Sequence, residues 1–120
     1  MPEEKDTSEL NLESLVDSHA HLDFPELRDD LAGVMQRCRN ARLAAVINAG
    51  SHPDGNRAVI ELAQELSSPG NGLRVFPAAG VHPHYAAEAT EEHWAEIRTL
   101  AEAGEVVALG EFGLDYHYEN

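Results

Sequence analysis

At 120 residues, 42% hydrophobic and 25% charged, the chain has the size and composition of one globular domain, and a disordered, collagenous or membrane composition is excluded. Eight Lys and Arg against 22 Asp and Glu leave a formal charge of 8 − 22 = −14, which repels a polyanion at long range and disfavours a basic-patch nucleic-acid binder. No charge-free run approaches the roughly 18 apolar residues of a membrane helix, the N-terminus is acidic where a targeting peptide is basic, and the single cysteine, Cys38, forbids an internal disulfide. A protein of a reducing, cytoplasmic setting with no membrane partner is expected.

Residues 1–13 lack an apolar period and are expected to be a loosely held acidic tail, leaving 14–120 as the folded unit. Ser14 to Ser18 reads as a first strand leading into His19 and His21. From Glu26 to Ala41, Leu27, Leu31, Val34, Met35 and Cys38 recur at helical spacing, with Asp29 and Asp30 early and Arg37 and Arg39 late, as a helix dipole favours. Leu43 to Ala49 is a second buried run. Pro53 and Asp54 open a second helix to Leu66, with Ala58, Ile60, Leu62, Ala63 and Leu66 inward. Leu73 to Ala79 is a third strand whose Pro77 costs a ladder donor and argues for a place near the strand end. Thr90 caps a third helix with Trp94, Ile97, Leu100 and Ala101 on its apolar face, and Glu105 to Leu109 forms a fourth strand. Continuous apolar strands alternating with helices imply a parallel α/β sheet, as an open doubly wound sheet or as part of a (β/α)₈ barrel.

Chemistry collects at three strand ends: Asp17-Ser18-His19-Ala20-His21, Gly80-Val81-His82-Pro83-His84 and Gly110-Glu111. That rim is where parallel α/β folds bind and react. Residues two apart on an extended backbone face the same way, so His19 and His21 can converge on one ion, and Asp17 shares their parity. Two surface histidines are the plainer alternative, but the flanking Asp17 and Asp23 suit the need of imidazole ligands for a carboxylate on the other ring nitrogen. Glu111 ends an apolar strand, where an unpaired carboxylate is costly and a divalent cation is a natural partner. Imidazole and carboxylate without sulfur suit Mg²⁺, Mn²⁺ or Zn²⁺. His82 and His84, around the stiffening Pro83, can orient a substrate or merely cap a polar turn, and Asp115 can support a ligand. His52 lies within reach of the site, whereas His93 and His117 read as plain surface residues. Cys38 reads as a small core residue, and no phosphate loop or nucleophile elbow is present.

Val16 to Asp23, Gly80 to His84 and Gly110 to Tyr116 together resemble, in order, the N-terminal signatures of the TatD-type metal-dependent hydrolases, within the wider amidohydrolase-like barrels. The resemblance runs from about Leu15 to Asn120. It implies a TIM (β/α)₈ barrel, here its N-terminal half with four strands and three helices. It also implies a two-metal site that hydrolyses phosphodiester bonds, typically as a deoxyribonuclease, with a metal-activated water as nucleophile. His19 and His21 then match ligands of the first metal, Glu111 the ligand shared between metals, and His82 a pocket histidine beside the phosphate; from the residues themselves, His84 is expected at the substrate and Asp17 and Asp115 as supports.

A complete barrel takes about 250 residues, and the family's later ligands, two histidines and an aspartate, have no counterpart in this sequence. The remaining catalytic residues are therefore expected beyond Asn120, in a complete enzyme acting on DNA or another phosphodiester. The 120 residues are expected to be inactive alone and to self-associate through unpaired sheet edges. The competing readings are a non-catalytic half-barrel that captures a partner and an amidohydrolase-like amide or ester hydrolase.

Overall fold

A computed structural model describes residues 15–67 and 72–116. The expected tail, with Ser14, His117 and Tyr118, lies outside the described residues. The elements run β1 (Leu15–Ala20), α1 (Pro25–Arg28), α2 (Leu31–Asn40), β2 (Leu43–Ala49), α3 (Asn56–Leu66), β3 (Arg74–Ala79), α4 (Glu91–Glu102) and β4 (Ala108–Leu109), with 3₁₀ turns at Pro53–Gly55 and Pro83–Glu88.

The four strands are parallel and lie in the order β1-β2-β3-β4. An open doubly wound sheet reverses direction at its switch point, whereas strands that follow one another in sequence order build a curling barrel wall. The sheet is accordingly a half-barrel, with helices outside and histidine-rich loops at one rim. One core lies where α2 and α3 cover the sheet, around Val34, Met35, Val46, Leu62, Leu73 and Val75. A second lies under α4, around Ile60, Ala79, Val81, Ile97 and Leu100.

Several local details depart from the expected pattern for identifiable reasons. The first helix is divided, because the Asp30 carboxylate accepts from the Gly33 N–H at 3.2 Å and starts a new helix after Asp29. In α3 the inward stripe is Asn56, Val59, Ile60, Leu62 and Ala63, which leaves Ala58 exposed. Pro77 sits inside β3 opposite Asn48, where its carbonyl accepts from Val107 N–H at 2.9 Å and the ladder to β4 begins only at Ala78. Of the expected fourth strand only Ala108 and Leu109 join the sheet. Thr90 caps α4 as expected, but its reciprocal partner is His93, whose Nδ1 accepts from Thr90 N–H at 2.9 Å. With Nδ1 accepting, Nε2 carries the proton and donates to Asp54 Oδ1 at 2.6 Å, so His93 ties α4 to the turn after β2.

Both flanks of the half-barrel present apolar side chains to solvent. Leu15 and Val16 on β1 and Leu109 on β4 are each about half exposed, and Trp94 meets solvent beside Phe112. Cys38 packs against the first core as expected, and burial pushes its thiol up, which keeps thiolate scarce at neutral pH. No helix among the described residues is long and apolar enough to cross a membrane.

Candidate metal centre

β1 runs to Ala20, so His19 lies within the strand and His21 just past it. The two-residue spacing turns both imidazoles to one side, where they meet the Glu111 carboxylate that follows β4. His21 Nε2 lies 2.8 Å and His19 Nε2 3.2 Å from Glu111 Oε2, and the two Nε2 atoms are 3.2 Å apart. Among the described residues this is the one cluster of three potential ligands within 4.8 Å of one another. A divalent ion held at roughly 2.0–2.2 Å by nitrogen and oxygen sets neighbouring ligands about 3 Å apart, and these separations match.

The hydrogen bonds show why this triangle favours a cation. His21 Nδ1 lies 3.1 Å from the Ala49 carbonyl, which can only accept, so Nδ1 carries the ring proton and Nε2 presents a lone pair. That lone pair faces a carboxylate oxygen at 2.8 Å. Two acceptors at that distance repel unless a positive charge, a further proton or a metal ion, sits between them. Phe24 stacks on the His21 ring, centroids 4.4 Å apart and planes within 9°, so the imidazole is held by both its edge and its face.

His82 has the opposite tautomer. Its Nδ1 accepts from the His84 N–H at 3.0 Å, so Nε2 carries the proton and points as a donor toward Glu111 Oε1, 3.5 Å away. A ring with that proton donates to an anion and does not ligate. His84 Nε2 lies 2.9 Å from Asp115 Oδ2, so the carboxylate expected to support a ligand engages His84. Asp17 accepts the His19 backbone N–H at 3.1 Å and so braces the strand end at its backbone. Asp23 receives Asn48 Nδ2 at 3.4 Å. His52 lies against Tyr85 and is 3.7 Å from Glu88, and it is not one of the three grouped ligands.

A cavity of about 350 Å³ opens here, lined by His21, Phe24, Ser51, His82, His84, Tyr85 and Glu111. A larger one of about 420 Å³ is lined by Arg39, Arg42, Leu43, Ala44 and Gly72 at the opposite ends of the strands. It offers no ligating or acid–base group, so the histidine-lined cavity is the functional candidate.

Three contributors escaped sequence reading. Phe24 is an ordinary aromatic in a loop, and the Ala49 carbonyl has no side-chain signature at all. Asn48 did leave a signal, as an amide inside an apolar strand, where burial demands partners. It is fully buried, and its Oδ1 accepts from Leu22 N–H at 2.6 Å, fixing the chain directly after His21.

Comparison with known proteins agrees with the fold. The sequence matches the TatD related DNase family over residues 16–120. It is 35% identical over 106 residues to YabD of Bacillus subtilis, described as an uncharacterized metal-dependent hydrolase, covering 88% of this chain and 39% of the relative. It is also 35% identical over 103 residues to the 3′-5′ ssDNA/RNA exonuclease TatD of Enterobacter lignolyticus, covering 86% and 37%. The crystal structure of YJJV, a TatD homologue from Escherichia coli K12, superposes with a TM-score of 0.75 at 25% identity, covering 88% of this chain and 39% of that one. The chain thus spans about two fifths of the length of these relatives. With three motifs in order, a matching half-barrel and a family match over nearly all of the sequence, the chain belongs to the TatD-related DNase family.

Proposed function

We propose that the chain forms the N-terminal wall of a metal-dependent phosphodiesterase acting on DNA or a related phosphodiester. The observation that carries this reading is the meeting of His19, His21 and Glu111 within hydrogen-bond range of one another. On this reading the three would hold a divalent ion, Mg²⁺, Mn²⁺ or Zn²⁺, and Glu111 would be shared with a further ion. Such an ion would acidify a water nucleophile and offset charge on the phosphate. His21 keeps its lone pair on the ligand side through the bond to Ala49. The Nε2–H of His82, which points toward Glu111 Oε1, would turn to donate a hydrogen bond to a non-bridging phosphate oxygen of a bound substrate, and His84, braced by Asp115, lines the same wall. Because the chain carries −14, approach of a polyanion depends on this local positive charge.

The 120 residues hold one side of the site and turn over no substrate by themselves. To test the activity, the chain is joined to the remaining barrel of a family relative and assayed on 3′-labelled single-stranded DNA and on a p-nitrophenyl carboxylic ester. Phosphodiester cleavage in Mn²⁺ that disappears in EDTA is expected. Cleavage of the ester alone, or cleavage undiminished by EDTA, overturns the reading.

The open edges carry a second expectation for the isolated chain. Among the described residues the outer edges of β1 and β4 are unpaired, and with exposed Leu15, Val16, Val107 and Leu109 they favour pairing with another copy. Sedimentation should show concentration-dependent association, and a compact monomer at all concentrations counts against it.

A further inference from the structure

Glu111 reaches the two imidazoles from a strand of two residues, too short a ladder to aim a side chain by itself. Its backbone is held elsewhere. Glu111 N–H donates to the Gly50 carbonyl at 3.0 Å, and Gly50 N–H lies 2.8 Å from the Ala78 carbonyl and 3.1 Å from that of Gly110. The next residue, Ser51, accepts the His82 N–H at 2.8 Å. The loop after β2 therefore carries the backbones of both the carboxylate and the histidine opposite it. Asn56, the first residue of α3 and 1% exposed, closes this loop: Gly80 N–H donates to its Oδ1 at 2.9 Å, and its Nδ2 donates to the Gly80 carbonyl at 3.1 Å. The side-chain amide thus pairs with both the backbone N–H and the C=O of a single residue, and both its polar atoms are used in a place where an orphan would be costly. Gly50 and Gly80 are required beside it, since a Cβ on Gly50 would strike the Asn56 carboxamide and one on Gly80 would strike the backbone of Gly110 and Glu111.

We infer that Asn56 is a positioning residue for the metal centre: by clasping Gly80 it locks the β2, β3 and β4 ends together and sets where Glu111 stands relative to His19 and His21. The inference rests on the reading of those three residues as ligands, and it extends that reading to a residue that touches neither ion nor substrate.

The test uses the 120-residue chain with two readouts. In EDTA, amide hydrogen exchange is compared for wild type and Asn56→Ala. Exchange at Glu111 and His82, whose amides Asn56 does not touch, is expected to accelerate at least about tenfold, while the amides of Ile97 and Leu100 in α4 keep their rates. Co²⁺ titration followed by visible absorption is expected to show roughly tenfold to hundredfold weaker binding, the range for groups that orient ligands. Asn56→Asp keeps the volume and the acceptor for Gly80 N–H, so it should recover part of the loss, and it serves if Asn56→Ala does not fold. Acceleration spread evenly over α4 and the strand ends, or a Co²⁺ affinity equal to wild type in a folded variant, overturns the inference. If the wild-type chain takes up no Co²⁺, the metal reading fails, and the exchange pattern at Glu111 alone decides whether the clasp exists.

Discussion

Glu111→Gln is expected to abolish measurable Co²⁺ or Mn²⁺ binding, a loss beyond the roughly 10–100-fold seen when groups that merely orient ligands are removed. The carboxylate is the only anion among the three groups, and its Oε2 is the atom both imidazoles approach. Glutamine keeps the volume but offers a neutral amide, and its NH₂ can donate to the His21 lone pair and occupy the place of the ion. Folding is linked to the same event: an ion at about a hundred times its dissociation constant stabilises the native state by about 2.7 kcal/mol. Thermal unfolding with and without Mn²⁺ therefore checks the prediction without turnover. Wild type should gain several degrees from the metal and Glu111→Gln none. An equal gain in both proteins places the ion elsewhere.

Gly80→Ala is expected to be the most damaging single methyl group in the described chain. The added carbon falls on the backbone of Gly110 and Glu111, which has no rotamer to yield with, so the strand ends must move apart. Overpacking of this kind costs about 1–3 kcal/mol, which for a domain of this size lowers the unfolding midpoint by roughly 4–8 °C per kcal/mol. Gly55→Ala is the control. A Cβ there meets nothing closer than His52 Cβ at 3.7 Å, so its midpoint should stay unchanged or rise slightly. Similar midpoints for the two variants would show that the close approach at Gly80 does not constrain the rim.

Much of the architecture is legible because its signals are local. Leu43–Ala49 is an apolar run of the length of one strand and folds as one, and Thr90 caps α4 as its hydroxyl allows. Where the reading departs from the structure, a local competitor decides the outcome. The Asp30 carboxylate captures a backbone amide and splits the first helix, and the stripe on α3 is turned so that Val59 faces inward and Ala58 does not. His93 looks like a surface residue because the partner that engages it, Asp54, is 39 residues away.

The sequence by itself determined the alternation of strands and helices, the rim on which the chemistry gathers and the three side chains offered there, since periodicity, parity and residue type are properties of short stretches of chain. Only the tertiary structure decided how those side chains are used. The proton on His21 is assigned by a carbonyl 28 residues away, the opposite tautomer of His82 by a backbone amide in its own turn, and the Glu111 backbone is held by the Gly50 carbonyl in the loop after β2. Backbone carbonyls and amides are the same in every residue, so which of them lies beside a given ring becomes known only when the chain has closed on itself.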